Sequence, residues 1–182
     1  MRLRSGKVEL RAFEPALGEA LYAVRNHPSV RRHLRDARPI ERASHERWVR
    51  ENLLEARKLH LFVAFEAAAA AAPAGIALLR NIHGPEAEIG VMVIDAERRR
   101  RFAYVAAHLV AYYGFERLGL ERLLSLVPRA HAQALEFNLS CGMEPTGRPS
   151  QTYEVLALTK ARYLAHATHR RFRSRYRIEI ED

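Results

Sequence analysis

The chain has 182 residues, which is enough for one domain with a sizeable core, and its 48% hydrophobic and 28% charged residues exclude disorder of the whole chain. One cysteine excludes a disulfide framework and a cysteine-based zinc site. The formal net charge of +9 favours an anionic partner, or else it reflects an arginine-rich composition, because 27 of the 30 basic residues are arginine.

The first half of the chain is predicted to alternate between strands and helices. A strand, three helices and three further strands are expected over residues 8–13, 15–25, 29–34, from 44 onwards, 59–65, 74–82 and 88–94. Ser29 and Ser44 are serines of the kind that cap helix N-termini. The alanine-rich stretch 67–72 is predicted to be a hairpin connection, because alanine alone packs a strand poorly.

The second half predicts a long helix, a strand, a helix and a strand, over residues 98–118, 122–127, 130–141 and 153–158. Hairpin-linked strands followed by a strand–helix–strand crossover indicate an α/β (α+β) domain over residues 1–159. Its sheet is expected to be mixed and mostly antiparallel, with about six or seven strands flanked by helices. Residues 160–182 are interpreted as a basic, aromatic C-terminal arm.

The junction between strand 88–94 and the long helix is predicted to bind an anion. Four arginines, Arg98, Arg99, Arg100 and Arg101, stand where the helix begins. A helix N-terminus offers unpaired backbone N–H groups and the positive end of the helix dipole, and it disfavours cations. Four arginines in that position therefore suggest an anionic ligand; the alternative is a solvated basic first turn.

Several stretches together resemble the GNAT superfamily of acyl-CoA N-acyltransferases. They are the phrases RNHP at 25–28, AEIGVMVI at 87–94, RRRRFA at 98–103 and FERLGL at 115–120. The resemblance covers roughly residues 8–159 and is nearest to the branch of ribosomal-protein alanine and amino-sugar N-acetyltransferases. It implies a sheet splayed between the fourth and fifth strands, with acetyl-CoA or another acyl-CoA in the split.

The resemblance also implies a set of donor-binding residues. Arg98 and Ala103 match the first and last positions of the family's donor motif, whereas Arg101 stands where the family has a glycine. The implied cofactor-binding residues are Val91, Met92, Val93, Arg98, Arg99, Arg100, Arg101, Phe102, Ala103, Tyr104, His131 and Asn138.

Catalytic residues are matched only in part. His131 replaces an asparagine that contacts pantetheine, Asn138 replaces a tyrosine that acts as general acid, and Leu126 stands where some members have a glutamate base. The candidate catalytic residues are therefore Glu88, His131 and Asn138. Each has a plainer interpretation: a solvated strand-end carboxylate for Glu88, a surface histidine for His131 and a solvated side chain for Asn138.

The leading hypothesis is an enzyme that moves an acetyl or other acyl group from CoA to a primary amine by direct attack, without a metal. The expected acceptor is an amine-bearing small molecule, a sugar or a peptide N-terminus, bound near residues 25–38, which the family uses as the acceptor wall. An acyl carrier protein as donor and a homodimer are left open. The alternatives are a catalytically degenerate GNAT-like binding module and a basic nucleic-acid or ribosome-associated protein.

The sequence shows neither an apolar signal region nor a run long enough to cross a bilayer, so a cytoplasmic location is expected.

Overall fold

In a computed structural model, which describes residues 1–34, 36–56, 59–66, 72–95, 100–175 and 177–181, a mixed β-sheet carries helices on both faces. The strands are β1 (Arg2–Ser5), β2 (Val8–Ala12), β3 (Leu59–Glu66), β4 (Pro73–His83), β5 (Glu86–Val93), β6 (Arg122–Pro128), β7 (Glu144–Pro145), β8 (Tyr153–Thr159) and β9 (Glu179–Glu181). The helices are α1 (Gly18–Asn26), α2 (Pro28–Arg31), α3 (Arg42–Val49), α4 (Arg100–Tyr112), α5 (Ala132–Ser140), α6 (Lys160–Ala165) and α7 (Ala167–Arg175). Wider helical turns extend α3 over Arg50–Glu55 and α4 over Tyr113–Arg117.

The nine described strands lie in the order β7-β8-β6-β5-β4-β3-β2-β1-β9, and their pairing is antiparallel except between β5 and β6. The parallel pair is short, because only Glu86–Glu88 face Arg122–Leu124. β5 continues to Val93 and β6 to Pro128, so the two strands separate beyond these three pairs. This separation confirms the predicted split. It was predicted between the fourth and fifth strands, and it falls between β5 and β6 because the unpredicted strand β1 comes first in the chain.

Two hydrophobic clusters cover the two faces of the sheet. One joins α4 to alternate residues of the strands, among them Phe62, Leu79 and Leu123. The other joins α1 and α3 to the opposite residues, such as Val63 and Leu78. Residues next to each other along a strand point to opposite faces, so the near-continuous apolar runs of β3 and β4 supply both clusters.

The fold class is the predicted one, and the differences concern short elements. β1, β7 and β9 were not expected, because strands of two to four residues with sequences such as RLRS and EIE give no apolar alternation. His27, and not Ser29, caps α2: Pro28 occupies the first helical position, so the residue before it must accept the N–H bond. The α3 helix begins at Arg42, so Ser44 lies inside it. Most of the predicted connection, residues 67–71, lies outside the described residues.

The last part of the chain packs against the main core. The Tyr163 side chain of α6 and the Phe172 side chain of α7 are both buried in the cluster formed by α4. β9 pairs with β1 and adds a strand to the edge of the sheet. The domain boundary at residue 159 stays a prediction. Because Tyr163 and Phe172 are buried in the core, removing residues 160–182 is expected to lower the stability of the protein.

No helix in the described part of the chain is both long enough and apolar enough to cross a membrane.

Candidate active site

A cavity of about 410 Å³ opens beside the split between β5 and β6. Its floor is the end of β5, at Val91, Met92 and Val93. The walls come from α2 and the turn after it, from the start of α4, and from α5 with His131 before it. The wall residues are Ser29, Val30, Arg32, His33, Leu34, Arg100, Ala103, His131, Gln133, Ala134, Glu136 and Phe137. Chain segments far apart in the sequence therefore meet at the divergence of two parallel strands, a common place for ligand sites in α/β folds.

The predicted arginine junction is described from Arg100 onward, and Arg98 and Arg99 lie outside the described residues. Arg100 lines the cavity, and its Nη2 donates to a Glu136 carboxylate oxygen at 3.1 Å. The hydrogen bond to the Tyr104 hydroxyl, followed by the Glu136 carboxylate, raises the pKa of Arg100 above its ordinary value. Arg101 is exposed at the same end of α4.

The next three predicted donor-binding residues have different environments. Phe102 is buried in the main core, whereas Ala103 lines the cavity. Tyr104 does not line the cavity: its hydroxyl hydrogen-bonds the Ser140 hydroxyl and its ring packs against Phe137 at 5.0 Å between centroids. Tyr104 therefore fastens α4 to α5 and holds two walls of the cavity at a fixed separation.

His131 lies at the cavity and caps α5. Its Nδ1 accepts a hydrogen bond from the Ala134 backbone N–H at 3.4 Å. Burial lowers the pKa of His131 below its ordinary value, and the charge of Arg32 lowers it further. Because Nδ1 accepts, the neutral ring carries its proton on Nε2. In this state His131 is a hydrogen-bond donor, and a role as general base would require it to give up the cap.

The Glu88 side chain is buried at 9% exposure on β5 but does not line the described walls of the cavity. One of its carboxylate oxygens accepts from Arg80 Nη2 and the other from Asn81 Nδ2 at 2.8 Å. Asn81 adopts a φ of +50° where the pairing of β4 with β5 becomes irregular, and this backbone turns its amide toward Glu88. Glu88 is therefore an oriented, ion-paired carboxylate rather than a strand-end group in water.

Asn138 also lies outside the described cavity walls, and its amide Nδ2 donates to the Ala134 backbone oxygen of its own helix at 2.7 Å. In this conformation its amide N–H is used within α5. Of the three candidate catalytic residues, the structure brings only His131 into the cavity. Cys141, at the end of α5, is buried, and burial raises the pKa of its thiol to about 12, as fits a core residue.

His33 is not among the predicted site residues, although its ring stacks on that of His131 at 4.1 Å between centroids and 19° between planes. Burial lowers the pKa of His33, followed by the effects of His131 and Arg32. Ser29 was predicted as a helix cap and not as a residue that connects two elements. Its hydroxyl accepts from the Asp95 backbone N–H at 3.1 Å and ties α2 to the end of β5. As parts of a site, both residues were indicated by the implied acceptor wall over 25–38 alone.

Within the described residues, no group of three or more histidine, cysteine, aspartate or glutamate side chains is arranged to hold a metal ion.

Known proteins resemble the chain in sequence pattern and in fold. The family model described as an acetyltransferase (GNAT) domain matches residues 7–144. The spermidine N-acetyltransferase from Vibrio cholerae in complex with CoA and spermine is similar in structure, with a TM-score of 0.72, 18% identity, and coverage of 87% of this chain and 98% of that one. A GNAT-family acetyltransferase from Bacillus anthracis gives a TM-score of 0.70 and 17% identity, covering 88% of this chain and 99% of that one. No curated protein sequence matches the chain.

Proposed function

The chain belongs to the GNAT family of acetyltransferases, and from this premise we propose that it transfers an acyl group from acyl-CoA to a primary amine by direct attack. The observation that carries the proposal is the cavity beside the split between β5 and β6. The narrower likeness to ribosomal-protein alanine and amino-sugar N-acetyltransferases stays a prediction.

The geometry of β5 supports a pantetheine arm in the cavity. On one side β5 is paired with β4 up to Val93, but on the other side its pairing with β6 ends at Glu88. Beyond Glu88, no strand of the described residues pairs with the edge of β5 that faces β6, so an extended ligand with amide groups can add to β5 as a strand would. The side chains of Val91 and Met92 give that ligand an apolar floor.

The start of α4 supports a site for the donor's phosphates. Arg100 lines the cavity there and Arg101 is exposed beside it. Helix N–H groups and the helix dipole favour an anion at this end, and guanidinium groups add charge-assisted hydrogen bonds. We assign the phosphate contacts to Arg100 and Arg101, with Ala103 allowing close approach at the cavity wall.

In the proposed reaction the amine nitrogen forms a bond to the thioester carbonyl carbon, the carbon–sulfur bond breaks, and the proton lost by the amine ends on the thiol of CoA. His131 would donate its Nε2 proton as a hydrogen bond to the thioester oxygen or the leaving sulfur, since its Nδ1 is used by the α5 cap. Glu88, which Arg80 and Asn81 hold in place, would accept the amine proton through water, and the same water path would return it to the thiolate of CoA. Asn138 would act as a hydrogen-bond donor if its amide leaves the Ala134 carbonyl.

A thermal-shift titration with acetyl-CoA, longer acyl-CoAs and free CoA tests the proposal. Donor at 100 times its dissociation constant is expected to stabilise the protein by about 2.7 kcal/mol.

Arg100→Ala and Arg101→Ala should each weaken binding, by about 1.5–3 kcal/mol if the contact is charge-assisted and desolvated. Arg170→Ala, at an exposed position of α7, is the matched control. No shift with any donor at millimolar concentration would overturn the proposal. Binding without turnover on any amine would instead support a degenerate binding module.

A further inference from the structure

The cavity wall formed by α2 and its following turn carries a positive charge that the described residues do not neutralise. Arg32 lines the cavity, and its one hydrogen bond to a described side chain runs from Nε to His33 Nε2 at 3.1 Å. Throughout the described residues, no carboxylate lies within ion-pairing distance of Arg32. By contrast, Arg38 pairs with Asp36 at 2.7 Å, and Arg42 pairs with Glu19.

The other charged groups of the cavity cancel one another. Arg100 on the α4 wall and Glu136 on the α5 wall pair at 3.1 Å. Of the charged side chains on the described walls, Arg32 is left without a counter-ion. The sequence around it adds to the effect, since residues 25–38 contain five arginines and one aspartate.

The effect of this charge reaches across the cavity. Arg32 contributes to the lowered pKa of His33, which is next to it, and of His131, which belongs to the α5 wall. His33 Nε2 accepts a hydrogen bond from Arg32, and the lowered pKa values of the two stacked rings favour their neutral forms beside this charge. A second cation in the same space, such as the far ammonium group of a polyamine, would be repelled by Arg32.

We infer that the acyl acceptor carries, besides its primary amine, a carboxylate or phosphate that binds to Arg32 at the α2 wall. This inference rests on the proposed function. It narrows the acceptor to amines with a negative group in the same molecule and disfavours polyamines and unsubstituted alkylamines. The α4 wall, with Arg100 and Arg101, remains the place assigned to the donor's phosphates, so each anion has its own arginines.

The test is a matched set of five-carbon primary amines whose far end is a carboxylate, a hydroxyl or a second ammonium group. With acetyl-CoA as donor, we expect kcat/KM to be highest for the carboxylate and at least ~10-fold lower for the diamine, as oppositely charged and like-charged partners are discriminated. The preference should shrink as ionic strength rises, because Arg32 is exposed at the mouth of the cavity.

Substitutions of single arginines show which positive charge causes the preference for the carboxylate amine over the diamine. Arg32→Gln should bring the ratio of the two kcat/KM values close to one, and Arg32→Glu should invert it. Arg42→Gln, which removes an exposed arginine paired with Glu19, should leave the ratio unchanged. The affinity of Arg32→Gln for acetyl-CoA, measured by calorimetry, should equal that of the unaltered protein.

The remaining outcomes overturn the inference in distinguishable ways. Equal kcat/KM values for the three amines would show that the acceptor needs no anion, with the proposed function intact. Lost acetyl-CoA affinity in Arg32→Gln with an unchanged amine preference would make Arg32 a contact of the donor's phosphates. An Arg32-dependent preference for succinyl-CoA over acetyl-CoA, with equal use of the amines, would place the carboxylate on the acyl group. No transfer to any amine despite bound acetyl-CoA would overturn the proposed function and this inference with it.

Discussion

This protein has two pairs of stacked histidines, one buried in the core and the other at the cavity. His108 of α4 and His169 of α7 are buried, at 2% and 4% exposure, with their Nδ1 atoms 2.8 Å apart. His33 and His131 meet at the mouth of the cavity with their rings 4.1 Å apart. One pair joins helices inside the core, and the other joins two walls of the cavity.

The hydrogen bonds of the buried pair are directed to fixed protein groups. The Tyr163 hydroxyl lies 3.2 Å from His108 Nε2, and His169 Nε2 lies 2.7 Å from the Cys141 carbonyl oxygen. A buried polar group without such partners is costly, so this network favours one arrangement of α4, α6 and α7. Among the described residues, the His131 ring has a hydrogen bond at Nδ1 alone, where it caps α5, and this leaves Nε2–H for a ligand. The comparison indicates that the buried pair supports the fold, and it agrees with the proposal that the pair at the cavity acts on a ligand.

The largest effect is expected from a truncation that tests the buried histidine pair by removing the residues after Thr159. The truncation takes away Tyr163 and Phe172, each of which contributes about 1.5–3 kcal/mol of burial, together with the histidine network. We expect the shortened chain to lose cooperative unfolding or to melt far lower, measured by circular dichroism on heating.

Truncation after Ile178, which removes the β9 strand but keeps α6 and α7, is its control and should cost much less. An unchanged melting temperature for residues 1–159 would instead support the predicted domain boundary.

His131→Asn tests the pair at the cavity. Asparagine is a good N-cap, so α5 should remain stable, but the ring and its Nε2–H are lost. If His131 stabilises the developing charge, kcat should fall about 10²-fold, the cost of one such donor, with little change in donor affinity. His131→Ala should show the same loss of rate and an additional capping cost of about 1 kcal/mol. A kcat that Asn preserves would make His131 only a cap.

His169→Ala should show the reverse behaviour. It removes the hydrogen bonds that His169 makes with His108 Nδ1 and with the Cys141 carbonyl oxygen inside the core, at a cost of about 1–3 kcal/mol in the free energy of unfolding. Chemical denaturation measures this loss, and calorimetry should find the acyl-CoA affinity unchanged. A variant as stable as the original protein, or one that binds donor less tightly, would contradict the division between the two pairs.

The smallest expected effect is the dependence of stability on pH. The pKa values of His33 and His131 are lowered on folding from 6.5, so the unfolded chain binds more protons below that pH. Their contribution to stability is therefore present above pH 6.5 and is lost as the pH falls through their lowered pKa values.

His45 and His60 shift in the same direction, so replacing His33 and His131 with asparagine should remove only part of the slope between pH 7 and pH 5. Denaturation curves across this interval measure it, and an unchanged slope would show that the pair does not titrate with folding.

Much of the fold followed from local patterns in the chain. The apolar runs of β3, β4 and β5 and the helical spacing of α4 predicted a mixed sheet with helices, and the phrases at 25–28 and 115–120 indicated the family. These signals are local because strand alternation and helix periodicity act over a few residues. Short edge strands and the folding of residues 160–175 onto α4 carry no such signal, since their stability comes from distant partners.

By itself, the sequence determined the fold class, the family and the basic segments at 25–38 and 98–101, because these depend on residue type and spacing. Only the tertiary structure decided which of those charges face the same cavity. It paired Arg100 with Glu136 and left Arg32 without a carboxylate among the described residues. It also stacked His33 on His131, 98 positions further along, and directed the Asn138 amide to its own helix. Charge balance and hydrogen bonding at a site depend on side chains brought together from distant parts of the chain, and neither composition nor periodicity encodes those contacts.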